Sequence, residues 1–308
     1  MTVRIIQAND PHVSDRAPAW RTETYLDDVF AKLEWVLSQP CDVVIIPGDL
    51  FHNPAPTRVS HALVQRWLRA LDRAVAPVLV VAGNHDLSAG RIDSLSRQPL
   101  GVVCTHPKVV LLSGPGTIWS VEGTMVAGWG WGTDIQTIRN DCAQYKPDIA
   151  VLHASISPIP FPFGDRVDPL SLSGIAPLVC YGHIHTPELP FRAGDTTFVN
   201  PGALARGSLT AEDLERVPQI AVIDIDEKQT KVHYQPIQVA RMGRDVFRAE
   251  EAAAHRADES AVTRFVEMLG EATIETVTPE SLMAQVEAIA GDAAVAERAR
   301  SILMEVTG

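Results

Sequence analysis

The alternation of apolar runs and helical stripes in the opening part of the chain limits its fold more than any other feature. Residues 3–6 read as a strand, and Leu26, Val29, Phe30, Leu33, Val36 and Leu37 then recur on one helical face. Asp42-Val43-Val44-Ile45-Ile46 is a strand whose continuous apolar run implies cover on both faces. Val59, Leu63, Trp67, Leu68 and Leu71 make a second helical stripe, and Pro77 opens a third strand, Val78-Leu79-Val80-Val81. A β-α-β-α-β order of this kind predicts a layered α/β fold with right-handed crossovers.

The second half is richer in strands and turns. Strands are expected at Lys108–Leu112, Thr124–Ala127, Ile149–Leu152, Leu178–Tyr181, Thr197–Val199, Gln219–Ile225 and Lys231–Ile237, with Asp226-Glu227-Lys228-Gln229 joining the last two as a hairpin. Two sheets flanked by helices accommodate this count. Beyond Val239 the pattern becomes helical. Val262, Phe265, Val266 and Leu269 form one stripe, Thr278-Pro279 starts a second helix through Leu282, Met283, Val286 and Ile289, and Asp292 caps a third. We therefore expect one domain over residues 1–240 and an acidic helical region over 241–308. That region carries 7 basic and 13 acidic side chains, a net charge of −6 out of −12 for the whole chain.

Each early strand, and two later ones, runs into polar residues of one chemical kind. Asp10-Pro11-His12 follows Ile6, Gly48-Asp49-Leu50-Phe51-His52 follows Ile46, and Gly83-Asn84-His85-Asp86 follows Val81. His153 follows Leu152, and Gly182-His183-Ile184-His185 follows Tyr181. Any one of these is a plausible polar turn. All five stand at the carboxyl ends of strands, where open α/β sheets collect their ligands. Carboxylates, imidazoles and one amide, without a thiolate, suit two hard or borderline divalent ions. A pair of such ions can clamp a phosphate diester. Cys41, Cys104, Cys142 and Cys180 are widely spaced and form no CxxC pair, which argues against a thiolate zinc site.

In this order the motifs resemble those of the calcineurin-like metallophosphoesterase superfamily. The resemblance covers about residues 1–240 and implies a four-layer α-β-β-α sandwich with a dinuclear site, here carrying a C-terminal helical appendage. Gly48–His52, together with Asn200-Pro201-Gly202-Ala203-Leu204-Ala205-Arg206-Gly207-Ser208 and the following Pro218-Gln219, is similar to SbcD-type nucleases of double-strand-break repair and phage recombination. On that resemblance Asp10, His12, Asp49 and His185 hold one metal. Asp49, Asn84, His153 and His183 hold the other, with Asp49 bridging. The resemblance makes His85 a non-ligand beside the scissile phosphate, a proton donor or charge stabiliser. Asp86 is expected to orient its ring, and His52 either steers the substrate strand or is a plain loop histidine. Arg206 either forks onto a phosphate or makes a structural salt bridge.

The chain departs from that branch in two places. Its first motif lacks Leu-Gly after His12, and residues 241–308 are too few and too helical for the α/β cap of full-length SbcD-type nucleases. Manganese is the expected metal, with iron or zinc as alternatives. The expected activity is DNA exo- or endonuclease cleavage. The alternatives are a stand-alone cyclic-nucleotide or small-molecule phosphodiesterase, and a scaffold that docks an SbcC-like ATPase or forms a homodimer through its tail. A net charge of −12 argues against a broad basic DNA surface, although bound metals add local positive charge where a phosphate must sit. No apolar run reaches the ~20 residues of a membrane span, and the start of the chain has no signal-peptide layout, so the expected compartment is the cytoplasm. The stiff segment Ser157–Gly164 either walls the site and stacks a nucleobase or forms a lid over the sheet edge; Trp129 and Trp131 allow the same two readings, and packing is favoured for at least one of them.

Overall fold

The structure is a computed structural model that describes residues 2–113, 117–159, 166–227 and 229–257, with residues 260 and 297 singly. Among the described residues twelve strands form two sheets. They are β1 (Val3–Gln7), β2 (Val43–Ile46), β3 (Val78–Val80), β4 (Val109–Leu111), β5 (Trp119–Val121), β6 (Thr124–Trp129), β7 (Ile149–His153), β8 (Leu178–Gly182), β9 (Glu188–Ala193), β10 (Thr196–Asn200), β11 (Gln219–Ile225) and β12 (Thr230–Pro236). The first sheet runs β12-β11-β1-β2-β3-β4 and the second β5-β6-β7-β8-β10-β9. β1 to β4 are mutually parallel, as are β6, β7, β8 and β10.

Side-chain alternation builds the layers. In β1, β2 and β3 the residues Val3, Ile5, Val43, Ile45 and Leu79 face the second sheet, where they meet Val126, Ile149, Val151, Leu178, Cys180 and Val199. Their neighbours Ile6, Val44, Ile46, Val78 and Val80 face outward, under helices α1 (Tyr25–Leu37) and α2 (His61–Asp72). Those helices bury the predicted stripe, including Val29, Phe30, Leu33, Leu63, Trp67 and Leu71. Each such side chain contributes about 1.5–3 kcal/mol. Ser60 caps α2, its hydroxyl accepting from Leu63 N at 3.1 Å. The outer face of the second sheet packs Ala127, Trp129, Ala150, Leu152 and Val179 against Ile138 and Cys142 of a further helix over Ile135–Tyr145. Helix, sheet, sheet and helix are the four layers of the expected α/β sandwich.

Two strands escape the sequence pattern. β5 is only three residues long, and β9 carries Pro190 and alternates weakly because it lies at a sheet edge. The β11–β12 hairpin forms as expected, with Asp226 N donating to Gln229 O at 3.0 Å.

The first compact unit runs from Met1 to Phe247. Residues just beyond 240 are tied into it: Thr22 N donates to Val246 O at 3.0 Å, and Arg21 pairs with Phe247 in an antiparallel bridge. The second unit is Arg248–Gly308, of which residues 249–257 are helical. The three helices expected over 262–306 and most of the Ser157–Gly164 segment lie outside the described residues. Among the described residues no helix is long and apolar enough to cross a membrane.

Candidate metal centre

The parallel strands of both sheets end on the same side, so loops far apart in sequence meet there. Buried amides hold the two sheets in register beneath them. Gln7 Nε2 donates to Asn9 Oδ1, Tyr181 O and Val199 O at 2.9, 3.3 and 3.1 Å. Asn9 Nδ2 donates to Tyr181 O at 2.7 Å and Asn200 Oδ1 at 2.8 Å. Sequence reading missed these struts, because a buried Gln or Asn has no spacing signature. Ala203 N donates to the His185 carbonyl at 2.9 Å and Leu204 N to the Asn9 carbonyl, which fixes the first and last motifs together.

The structure gathers Asp10, His12, Asp49 and His185 into one group, and Asp49, His153 and His183 into another, with the donor atoms of each group within 4.8 Å of one another. Asp49 belongs to both, its Oδ2 lying 3.4 Å from His12 Nε2 and 3.4 Å from His153 Nε2. Asn84 Oδ1 joins the second group, 3.0 Å from His153 Nε2 and 3.1 Å from His183 Nδ1. His153 Nδ1–H donates to the Pro47 carbonyl at 2.6 Å, which fixes the tautomer and leaves Nε2 facing inward.

The backbone is bent to make this possible. Asp10, His12, Asp49 and His183 all have positive φ (46°, 44°, 51° and 93°), a conformation costly for side-chain-bearing residues and concentrated at functional sites. Gly48, at φ 91°, has no room for a Cβ because the His153 ring occupies that space. A Cβ on Gly83 would strike the Asp49 carboxylate in the same way. At these two positions glycine lets a donor side chain approach the backbone.

Burial dominates the electrostatics of the cluster. Burial pushes the Asp10 carboxyl up to about 8 against the pull of His153. Burial pushes His153 down, but the Asp49 carboxylate more than offsets it and brings the imidazole up to about 9. Burial also lowers His183, helped by His153, to about 4. His12 Nε2 and His185 Nε2 face each other at 3.0 Å, an approach that requires a proton or a cation between them. Carboxylate, amide and imidazole donors converging on two points are a fit for divalent ions, and the oxygen and nitrogen donors suit hard or borderline metals.

His85 lies at the open side of this cluster. Its backbone N–H donates to Asp49 Oδ1 at 2.9 Å, and its Nδ1–H donates to the His52 carbonyl at 2.8 Å. The His52 ring stacks on it with centroids 5.3 Å apart. His12, His52 and His85 form a third close group of imidazoles.

Two expectations are corrected here. Asp86 does not orient the His85 ring: its carboxylate accepts from Leu50 N, Phe51 N and Gly83 N at 3.2, 3.0 and 3.0 Å, and so ties two motif loops together. The His52 carbonyl takes the orienting role. Arg206 is fully buried, donating to the carbonyls of Arg216 (3.3 Å) and Arg241 (2.6 Å), so its guanidinium is not presented to a phosphate. Its place in a loop next to a ligand motif is a poor guide, because that loop folds inward.

The tryptophans divide. Trp129 is buried and donates from Nε1 to Asp141 at 2.9 Å, whereas Trp131 is half-buried with its ring 4.6 Å from that of His183.

Comparison with known proteins gives a matching family model, calcineurin-like phosphoesterase, over residues 3–187. No curated protein matches. Similar solved structures include TT1561 of Thermus thermophilus, at 16% identity and a TM-score of 0.49, covering 77% of this chain and 100% of that one. Vps29 of Chaetomium thermophilum is similar at 15% identity and a TM-score of 0.36, covering 76% of this chain and 96% of that one.

Proposed function

The chain belongs to the calcineurin-like phosphoesterase family, whose members are metal-dependent phosphoesterases that typically bind two divalent ions, and from that premise we propose that it is a phosphodiester hydrolase cutting nucleic-acid strands, of the SbcD-type branch. One observation carries the narrower reading. His52, the histidine that ends the nuclease-like second motif, stacks on His85 at the open side of the centre and also fixes its ring through the main chain.

In this reading Asp10, His12, Asp49 and His185 hold one ion, and Asp49, Asn84, His153 and His183 the other. Bound there, two divalent ions, manganese in the first instance, neutralise charge on the phosphoryl oxygens and activate water at neutral pH. The protein's own groups do the rest. Asp49 sits between the two donor groups and sets their separation. Pro47 O holds His153 in the tautomer that offers Nε2. With Nδ1–H committed to the His52 carbonyl, a protonated His85 has only Nε2–H left to give, which it donates to the departing alkoxide oxygen. The exposed His52 ring contacts the strand beyond the scissile bond. We further propose that the acidic C-terminal region faces protein, either an SbcC-like ATPase or a second copy, because its carboxylates repel a phosphate backbone.

The test compares linear DNA, a cyclic mononucleotide and bis-p-nitrophenyl phosphate, with added manganese and after chelation. Metal-dependent cleavage of DNA is expected. Turnover of the cyclic nucleotide alone would overturn the nuclease assignment, and chelator-resistant hydrolysis would overturn the metal assignment.

A further inference from the structure

Beside His52 the surface opens into a cleft of about 750 Å³, lined among others by Ser14, Arg16, Asn53, Thr57 and Arg58. That volume lies in the ~300–1,000 Å³ range of ligand sites. We propose that this cleft is a subsite for the polynucleotide strand flanking the scissile bond, with Arg16 and Arg58 as its phosphate contacts. The inference rests on the nuclease reading above and adds the residues that select a polymer over a single nucleotide.

Three observations converge. Arg16 and Arg58 are both exposed, and among the described residues neither guanidinium has a hydrogen-bond or ion-pair partner, although many other arginines of this chain do. Two unpaired forks on one cleft in a chain of net charge −12 make a local positive site in a repelling surround. The acidic residue of the cleft, Asp15, is already engaged. Its carboxylate accepts from Ser60 N and Ser60 Oγ at 2.6 Å each, at the amino end of α2, where the helix dipole offsets its charge.

Position supplies the third. His52 lines the cleft and stacks on His85, so cleft and metal centre share a wall. A strand whose scissile phosphate sits at the centre and leaves past His52 brings its next phosphates to the two guanidiniums, each able to grip one bidentately. A cyclic mononucleotide has no second phosphate to place there.

The test is binding of a fluorescein-labelled single-stranded oligodeoxynucleotide, followed by anisotropy in EDTA, so that hydrolysis plays no part. Arg16→Ala/Arg58→Ala is expected to weaken binding about tenfold or more and to reduce the slope of log K against log salt by about 0.7 for each phosphate no longer neutralised. Arg16→Lys/Arg58→Lys, which keeps the charge and loses the fork, is expected to keep the slope. Unchanged affinity and slope in a folded alanine pair, checked by its melting curve, would overturn the subsite. So would a lysine pair that loses the slope as fully as the alanine pair. Manganese-dependent cleavage of the same oligodeoxynucleotide by the unaltered protein tests the nuclease reading separately: a protein that cuts the strand while the alanine pair binds it unchanged keeps that reading and loses the subsite.

Discussion

Asp49 is the residue on which both donor groups depend. With Oδ2 at 3.4 Å from His12 and from His153, it stands between nitrogens that belong to different groups. Asp49→Ala is expected to abolish hydrolysis and lower bound metal in elemental analysis; two ions retained with near-normal turnover would exclude bridging. His85 separates from this set because no donor atom of the two carboxylate-containing groups is its own. His85→Ala should keep its metal and lose about 10²–10⁴-fold in turnover, the usual worth of a positioned acid or base. Loss of an ion would instead make His85 a ligand. Asp86 tests a different property. Its carboxylate is buried and satisfies three backbone N–H groups, each costing roughly 1–3 kcal/mol if orphaned. Asp86→Ala should therefore destabilise the fold by roughly 3 kcal/mol or more in urea unfolding, and Asp86→Asn, which keeps one acceptor oxygen, by less. An Asp86→Ala variant that is stable but slow would show that this carboxylate serves His85 after all.

Helix α1 carries two demands that its apolar stripe does not reveal. Beside Val29, Phe30 and Leu33 it buries Asp28 and Lys32, which pair at 2.9 Å, while Arg21 Nη2 reaches Asp28 at 3.1 Å. One carboxylate thus answers two buried cations, with Arg206 close enough to lower Lys32 further. Burial, only partly offset by Asp28, brings the Lys32 ammonium down from 10.5 to about 8. Between those values the unfolded chain binds more protons than the folded one, so this group's contribution makes stability rise with pH from about 8 to 10.5. Lys32→Met should remove that increment, leaving the Arg21–Asp28 pair in place. Urea midpoints of both proteins at about pH 8 and pH 10 measure it, and parallel pH profiles would show that Lys32 does not titrate in this window. The helix is also connected to the centre, since the Tyr25 hydroxyl donates to the His12 carbonyl at 2.8 Å.

At the scale of the molecule, the first compact unit ends at Phe247. Chain beyond residue 240 satisfies groups inside it: Arg21 Nε donates to Val246 O at 3.0 Å and Arg206 Nη2 to Arg241 O at 2.6 Å. Truncation after Phe247 should preserve hydrolysis of bis-p-nitrophenyl phosphate and remove any partner binding that belongs to the tail. Truncation after Ala240 leaves buried guanidinium protons unpaired and should lower the melting temperature. Equal melting temperatures for the two truncations would show that the 241–247 segment carries no stability.

What the sequence determined by itself was whatever depends on period and on local order. Strand alternation of two and helix recurrence near 3.6 fix which faces are apolar, so a layered α/β fold with helix-flanked sheets followed from the positions of Val, Ile and Leu, and the family resemblance supplied the count of four layers. The residues of the candidate centre were legible because each stands at or just beyond the carboxyl end of a strand, and parallel strands in one sheet must end on one side. Tertiary structure alone decided the relations between loops. It placed Arg206 inward among carbonyls and gave Asp86 to three backbone N–H groups. It left the orienting of His85 to a main-chain carbonyl, a group every residue possesses and no motif can mark. It also set the Gln7–Asn9–Asn200 struts and the Arg16–Arg58 cleft, because a hydrogen bond or a phosphate grip depends on distances between segments that sequence order does not encode.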